Sequence, residues 1–296
     1  MTQAGAYRIG VDIGGSKLSV ALVNDQLEIV KKYYRKISGL GREDLFDLVK
    51  ELIQRALQEA GKASVRGIGL GIPGKVDRDR GIAVYQMMIP WANFPIVDRL
   101  EESFDLPIRI DNDVAVAALA EYQLAQRDPE ETFSYVTVST GISSQSFVHG
   151  QMIRGSGFAG ETALVPVSYR NLECLVQHLA SGTGIQDRGR QLLDRPDLAT
   201  VDIFNLAQAG DRQAQEVIQE GAEVLAWSLY QIICVLDPAE IVLGGSVILE
   251  QAGYLQACKE ALEPMLFPDQ AHVLDHISAS SLGENNGLLG AAALID

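Results

Sequence analysis

Apolar and polar positions switch between a period of two and a helical period along this chain, and the switches mark out its elements. Tyr7–Asp12 is a short apolar run ending at Gly14-Gly15; Leu18–Val23, an Asn24-Asp25 turn and Leu27–Lys32 follow, so the spacing predicts three tightly joined strands. The pattern recurs later in the chain. Phe133–Ser139 is an apolar strand ending in a Thr140-Gly141 turn, followed by Gln145–Val148, a His149-Gly150 turn and Gln151–Arg154. Two copies of strand, polar turn, strand, short turn, strand point to a duplicated lobe. Between them, Arg42–Ala60 carries Leu45, Leu48, Val49, Leu52, Ile53, Ala56 and Leu57 at helical spacing and stops at Gly61, where a left-handed cap is expected. Val65–Gly71 and Ile108–Asp111 read as buried strands, and Ala115–Gln123 as a helix just after Asp111-Asn112-Asp113. A long amphipathic helix around Gln213–Leu236 closes at Asp237-Pro238 and leads to the strand Ile241–Leu243 and Gly244-Gly245. Strands alternating with helices predict α/β lobes rather than segregated layers.

Composition sharpens this picture without changing it. The 296 residues suit two domains, and 47% hydrophobic with 21% charged residues is ordinary for a globular protein. A net charge of −15 repels polyanions, so nucleic-acid binding over a broad face is not expected, and a phosphate-bearing ligand must be met by backbone amides and a metal ion. Cys174, Cys234 and Cys258 are odd in number and show no CxxC spacing, which predicts reduced thiols rather than disulfides or a cysteine-based zinc site. The first residues, MTQAGAYRIG, have neither a basic n-region nor an apolar h-region, and the longest apolar-rich run, Val224–Leu236, is too short to span a bilayer. A soluble cytoplasmic protein with no membrane partner is the expectation.

The candidate chemistry gathers at strand ends, where α/β sheets place their ligands. Asp12-Ile13-Gly14-Gly15-Ser16-Lys17 leaves a buried strand and enters a hairpin, so glycine amides can approach a phosphate unobstructed, and Asp12 is placed to hold Mg²⁺ through water. A tight β-turn alone would also account for the motif. Gly69-Leu70-Gly71-Ile72-Pro73-Gly74 matches G-x-G-x-x-G, but Lys75–Ala83 has no helical periodicity, so it reads as a strand and a Pro-Gly loop rather than a dinucleotide turn. The P-loop pattern GxxxxGK[ST] is absent. Asp111-Asn112-Asp113 sits between a strand and a helix; taken alone it is a helix cap. A paired-carboxylate glycosidase is disfavoured, because its two carboxyl groups flank one bond from opposite sides, whereas residues two apart on an extended segment share a face. Thr140 and Gly141 offer a second phosphate turn, and Gly244-Gly245 a place where a base or ribose could approach the backbone.

As an ordered series, these motifs resemble the ROK family of repressors, open reading frames and sugar kinases, nearly end to end. Asp12–Lys17 is similar to its DIGGTK loop, Gly67–Asp77 to its GIGxPGxVD segment, Trp91 with Pro95 to its W…P segment, and Leu106–Ala118 to its LPVxVDNDxNxAA element. Arg154–Glu161 resembles RGxxGxAGE, Ser181-Gly182 an SG pair, Leu236–Gly245 LDPxxIVLGG, and Leu282–Ala293 the LGxxAGLLGAA tail. The resemblance implies a two-lobed actin-like ATPase (ribonuclease H-like) fold with a central cleft. Its expected boundaries are a smaller lobe over 1–118, completed by a C-terminal helix over 286–296, and a larger lobe over 119–285. It further implies ATP- and Mg²⁺-dependent phosphorylation of a hexose or amino-hexose, with Asp113 as catalytic base, and Gly74, Asn112, Asp113, Glu161 and Gln177 holding the sugar. Gly14, Gly15, Ser16, Lys17, Thr140, Gly141, Gly244 and Gly245 would meet the nucleotide, Asp12 would hold Mg²⁺ through water, and the protein would be a homodimer.

The departures from the family pattern are as specific as the matches. Where the family has GEIGH, this chain reads Gly160-Glu161-Thr162-Ala163-Leu164, so Leu164 replaces a histidine that contacts sugar and binds zinc. Cys174 has no companion cysteines, and no zinc is expected. Gln177 stands at the family's CLE glutamate. TGIGGG becomes Thr140-Gly141-Ile142-Ser143-Ser144-Gln145, which predicts either crowding at the phosphates or a hydroxyl donated by Ser143. These changes motivate an alternative, a catalytically weakened sugar-binding or regulatory protein. The repressor branch is disfavoured because its helix-turn-helix precedes the first strand, which here begins by Ile9. Polyphosphate as donor finds no basic run to track it. His149 and His178 are assigned no role.

Overall fold

In the computed structural model, residues 6–61 and 63–295 are described; residues 1–5 and 296, at the ends of the expected first lobe, lie outside them. The chain divides into two units, one running to Gln126 and resuming at Asn285, the other spanning Arg127–Glu284.

The first unit opens with β1 (Tyr7–Ile13), β2 (Lys17–Asn24) and β3 (Ile29–Lys36), an antiparallel meander extended by β4 (Val65–Ile72), while β5 (Lys75–Asp77) and β6 (Ile82–Tyr85) form a separate hairpin and β7 (Ile108–Asn112) completes the main sheet. Its order is β3-β2-β1-β4-β7, with β1, β4 and β7 parallel. Helix α1 (Arg42–Ala60) covers one face; α2 (Ile96–Glu101) precedes β7, and α3 (Asp113–Leu124) follows it. The second unit repeats the strand order with β8 (Phe133–Val138), β9 (Ile142–Val148), β10 (Gln151–Met152), β13 (Glu240–Gly244) and β14 (Ile277–Ala279), in the order β10-β9-β8-β13-β14. A small hairpin, β11 (Pro166–Tyr169) and β12 (Leu172–Leu175), stands apart from it. Its helices are α4 (Gln177–Ala180), α5 (Gly182–Leu193), α6 (Thr200–Gln208), α7 (Arg212–Leu236), α8 (Ser246–Glu250) and α9 (Ala252–Leu262). Each unit has its own apolar core. A five-stranded sheet of the same strand order in each unit is the expected pattern of the actin-like ATPase fold. Among the described residues, no helix is long and apolar enough to cross a membrane.

Alternation along β1 and β4 explains how the first sheet is covered. Ile9, Val11, Ile13, Ile68, Leu70 and Ile72 are fully buried in one core with Leu45, Val49 and Leu52 of α1. The intervening positions, Gly10, Asp12, Gly69 and Gly71, face the other way, toward the C-terminal helix Asn286–Ala292 and α3. A Cβ on Gly10 would lie 2.1 Å from the Leu288 carbonyl oxygen, one on Gly69 1.7 Å from that of Ala291, and one on Gly290 1.6 Å from that of Val116. Backbone therefore packs on backbone, and only glycine fits.

Several local expectations shift. The third strand begins at Ile29 rather than Leu27, because the Asn24 side chain accepts from the amides of Gln26 and Glu28 and draws Leu27 into the turn at φ +58°. Gly61 ends α1 at positive φ but with ψ −116°, outside the left-handed helical region. β9 starts at Ile142, so Ser143 and Ser144 lie in a strand paired with Thr137 and Val136. Helix α3 belongs whole to the first unit, which places the division after Gln126 rather than after residue 118, because α3 packs on the C-terminal helix.

The glycine face gives a direct test of this packing. Gly69→Ala is expected to destabilise the chain by about 3 kcal/mol, at the upper end of overpacking costs, because the obstructing atom is a backbone carbonyl. Denaturant unfolding reads it; a midpoint equal to wild type would show that the C-terminal helix is not seated as described.

Candidate active site

The parallel register sets the first unit's polar groups in a row. Asp12 on β1 pairs with Gly71 on β4, and Gly71 with Asp111 on β7, so both carboxylates stand at the carboxyl edge of the sheet on either side of a glycine. A Cβ on Gly71 would meet Val116 at 2.6 Å, which is why the head of α3 reaches the sheet here.

The triplet Asp111-Asn112-Asp113 divides its work in a way that spacing could not show. Asp111 is buried and accepts from the Asn112 amide at 2.8 Å. Asn112, not Asp113, is the cap: its Oδ1 accepts from the amides of Val114 (2.9 Å) and Ala115 (3.2 Å), and its Nδ2 donates to the Gly74 carbonyl at 2.9 Å. Gly74 sits at φ +77°, with Tyr85 and Gln86 crowding the place of a side chain. Asp113 is thus the first helical residue, half-buried, with one oxygen accepting from Val114 N at 3.0 Å and its charge at the positive helix end.

At the Asp12–Lys17 loop, the Gly14 amide closes the hairpin onto the Lys17 carbonyl at 2.8 Å, so this amide is already bonded within the chain. The side of Gly15 where a Cβ would stand is filled by the Met88 methyl. Asp12 lies next to this loop, with Gly287 of the C-terminal helix packed on its carboxyl group: a Cβ there would come within 2.9–3.1 Å of it. Burial raises the pKa of Asp12 above its ordinary value of 3.8, against the opposing pull of Lys17 and Lys32. A desolvated carboxylate at a strand end fits Mg²⁺ held through water, since a cation beside it would offset the cost of its charge.

The second unit holds the remaining residues. Thr140 and Gly141 form the turn between β8 and β9, closed by Ser139 N donating to the Gly141 carbonyl at 2.9 Å. The head of α5 lies against this turn: Gly182 N donates to the Ser139 carbonyl (2.7 Å) and Thr183 N to that of Thr140 (3.3 Å), while Ser181 Oγ caps the helix from Gly184 N at 3.0 Å. The Ser181-Gly182 pair thus brings a twelve-residue helix N-terminus to the turn. Gly244 and Gly245 are explained first by β8, since added Cβ atoms would meet the Tyr135 hydroxyl at 2.2 Å and the Val138 carbonyl at 2.4 Å.

Glu161 heads a short 3₁₀ turn, Thr162–Leu164. The residue is exposed, yet the surrounding chain takes enough water from its carboxyl to raise the pKa. Leu164 is about half exposed. Gln177 begins α4, and its carbonyl accepts from Ser181 Oγ at 2.7 Å. Among the described residues, no three His, Cys, Asp or Glu side chains gather to hold a metal. Ser143 and Ser144 do not stand in the Thr140-Gly141 turn: both hydroxyls donate to the Gly160 carbonyl, at 3.5 and 3.1 Å. The serine substitutions therefore bear on the segment carrying Glu161.

The family model of the ROK family matches residues 8–296. The chain is 29% identical to a glucokinase from Halalkalibacterium halodurans, covering 98% of this chain and 94% of that protein, and 30% identical to an N-acetylmannosamine kinase from Salmonella typhi, covering 97% of each. A crystal structure of a ROK hexokinase from Thermus thermophilus superposes with a TM-score of 0.83 at 32% identity, covering 97% of each chain.

The shifted Asp12 carboxyl makes a signed prediction. The folded chain binds that proton more tightly than the unfolded chain, so the charged form costs stability near neutral pH, and the cost disappears as pH falls through the raised pKa toward 3.8. Without nucleotide, Asp12→Asn is expected to melt above wild type near pH 7, the gap closing below about pH 4. A lower melting temperature at neutral pH would contradict it.

Proposed function

The chain belongs to the ROK family and is a sugar kinase, and from that premise we propose that it transfers the γ-phosphoryl group of ATP to a hydroxyl of a hexose or amino-hexose, with Asp113 as the base. The observation that carries the assignment is the division of labour at the head of α3: Asn112 does the capping, so the Asp113 carboxylate is placed by the helix without being needed to begin it. A carboxylate so placed accepts the proton of the attacking hydroxyl as the new O–P bond forms.

The other residues are given the roles that the resemblance implies. Asn112, held by Gly74, presents the edge of its amide to the sugar, and Glu161 and Gln177 bind further hydroxyls. The partial desolvation of Glu161 strengthens any bond it accepts from a hydroxyl. Gly15, Ser16 and Lys17 in the first unit, and Thr140 and Gly141 in the second, meet the phosphates; the head of α5 adds the positive end of its dipole to the latter turn. Gly244 and Gly245 face the nucleoside. Asp12 would hold Mg²⁺ through water, and the ion, when bound, would neutralise charge on the transferring group. In this reading the protein acts in the cytoplasm, and as a homodimer carried over from the family resemblance.

The test is a screen of ADP release over hexoses and N-acetylated amino-hexoses with ATP and Mg²⁺. At least one sugar is expected to raise turnover well above the sugar-free background. A flat response across the panel would overturn the assignment. Sugar-dependent thermal stabilisation without turnover would favour the regulatory alternative.

A further inference from the structure

We propose that Ser144 is a positioning residue for Glu161: from strand β9 it fixes the Gly160 backbone, and so sets where the Glu161 carboxylate meets the sugar. The inference rests on the sugar-binding role given to Glu161 above.

The segment leading to Glu161 has little stiffness of its own. Gly155, Gly157 and Gly160 all lie at positive φ (+53°, +100° and +92°), and so glycine-rich a stretch is held in place by the bonds at its ends. At its far end those bonds converge on one carbonyl. Gly160 O accepts from Ser144 N at 2.8 Å, from Ser144 Oγ at 3.1 Å and from Thr162 N at 2.7 Å, with Ser143 Oγ at 3.5 Å. The same serine blocks movement from the other side, since a Cβ on Gly160 would stand 1.8 Å from the Ser144 carbonyl oxygen. Ser144 is itself buried and paired with Val136 of β8, in the interior of the second sheet. On the other flank, the Glu161 carbonyl accepts from Leu164 N at 3.1 Å. Glu161 is exposed, so nothing comparable is needed to bury it; its aim comes from the backbone on either side. The Ser144 hydroxyl is the side-chain part of that anchor, and it joins a buried strand position to the glycine-rich segment that carries Glu161.

A group acting this way affects sugar binding without touching sugar or nucleotide. Steady-state kinetics on the full chain, with D-glucose and N-acetyl-D-mannosamine as probes, reads it in Ser144→Ala, Ser144→Thr, Glu161→Gln and the double variant Ser144→Ala/Glu161→Gln. Ser144→Ala is expected to raise the sugar KM about three- to tenfold, the loss of one hydrogen bond, with kcat and the ATP KM within about twofold. Ser144→Thr restores the sugar KM, and the double variant is no worse than Glu161→Gln alone. An unchanged sugar KM in Ser144→Ala, an equal rise in the ATP KM, or additive losses in the double variant would overturn the positioning role while leaving Glu161 assigned. An unchanged sugar KM in Glu161→Gln would overturn both. Hydrogen exchange gives a second readout that needs no turnover: Ser144→Ala should speed exchange at the amides of residues 155–164 and leave β8 and β13 unchanged. Unaltered protection of 155–164 would equally overturn the proposal.

Discussion

The close approach of two helix backbones to the glycine face of the first sheet is the constraint on which that unit's site depends. Gly10, Gly69 and Gly71 clear the sheet surface, and Gly290 clears the C-terminal helix, so that carbonyls of that helix and the head of α3 come where side chains would otherwise stand. One consequence is electrostatic: the C-terminal helix, packed at Gly287, takes water from Asp12 and raises its pKa. The other is positional. The α3 backbone reaches the carboxyl edge of β4 and β7, in the row that already holds Asp12 and Asp111.

From that arrangement the chemistry follows locally. A helix starting at the edge of a parallel sheet needs a cap, and a base at the same place needs its carboxylate for something else. The chain meets both needs with adjacent residues: Asn112 makes the cap, the Asp113 carboxylate that we propose as the base is left out of it, and Gly74 ties the cap to the neighbouring strand's loop. In the second unit the same economy appears at Ser181, whose hydroxyl caps α5 while the helix head lies against the Thr140-Gly141 turn.

Much of this was legible in the sequence, in uneven ways. Strong periodicity fixed α1 and α7 to within a residue, and apolar runs located β1, β4 and β8, because burial imposes those patterns on every residue of an element. The duplicated strand pattern pointed to the matching strand orders of the two sheets. Apart from the local Asn24 turn that delays β3, the failures at the site come from contacts distant in sequence. Gly69 and Gly71 read only as the end of a buried strand before a Pro-Gly loop, with no local sign that they are required by helices whose residues lie far along the chain. The Ser143-Ser144 change read as an event at the phosphates, because its partner, Gly160, is brought to it only by the fold. The resemblance to ROK sugar kinases named the candidate site residues; only the side-chain bonds separated the cap, Asn112, from the proposed base, Asp113.

The central claim is that the Asp113 carboxylate activates the sugar hydroxyl. The most direct measurement is a single-turnover experiment with γ-labelled ATP, Mg²⁺ and a sugar that the wild type phosphorylates, comparing wild type with Asp113→Asn. The account predicts rapid appearance of label on the sugar with wild type, and transfer slowed by about 10²–10⁴-fold with Asp113→Asn while both substrates still bind. Transfer at the wild-type rate in Asp113→Asn would contradict it.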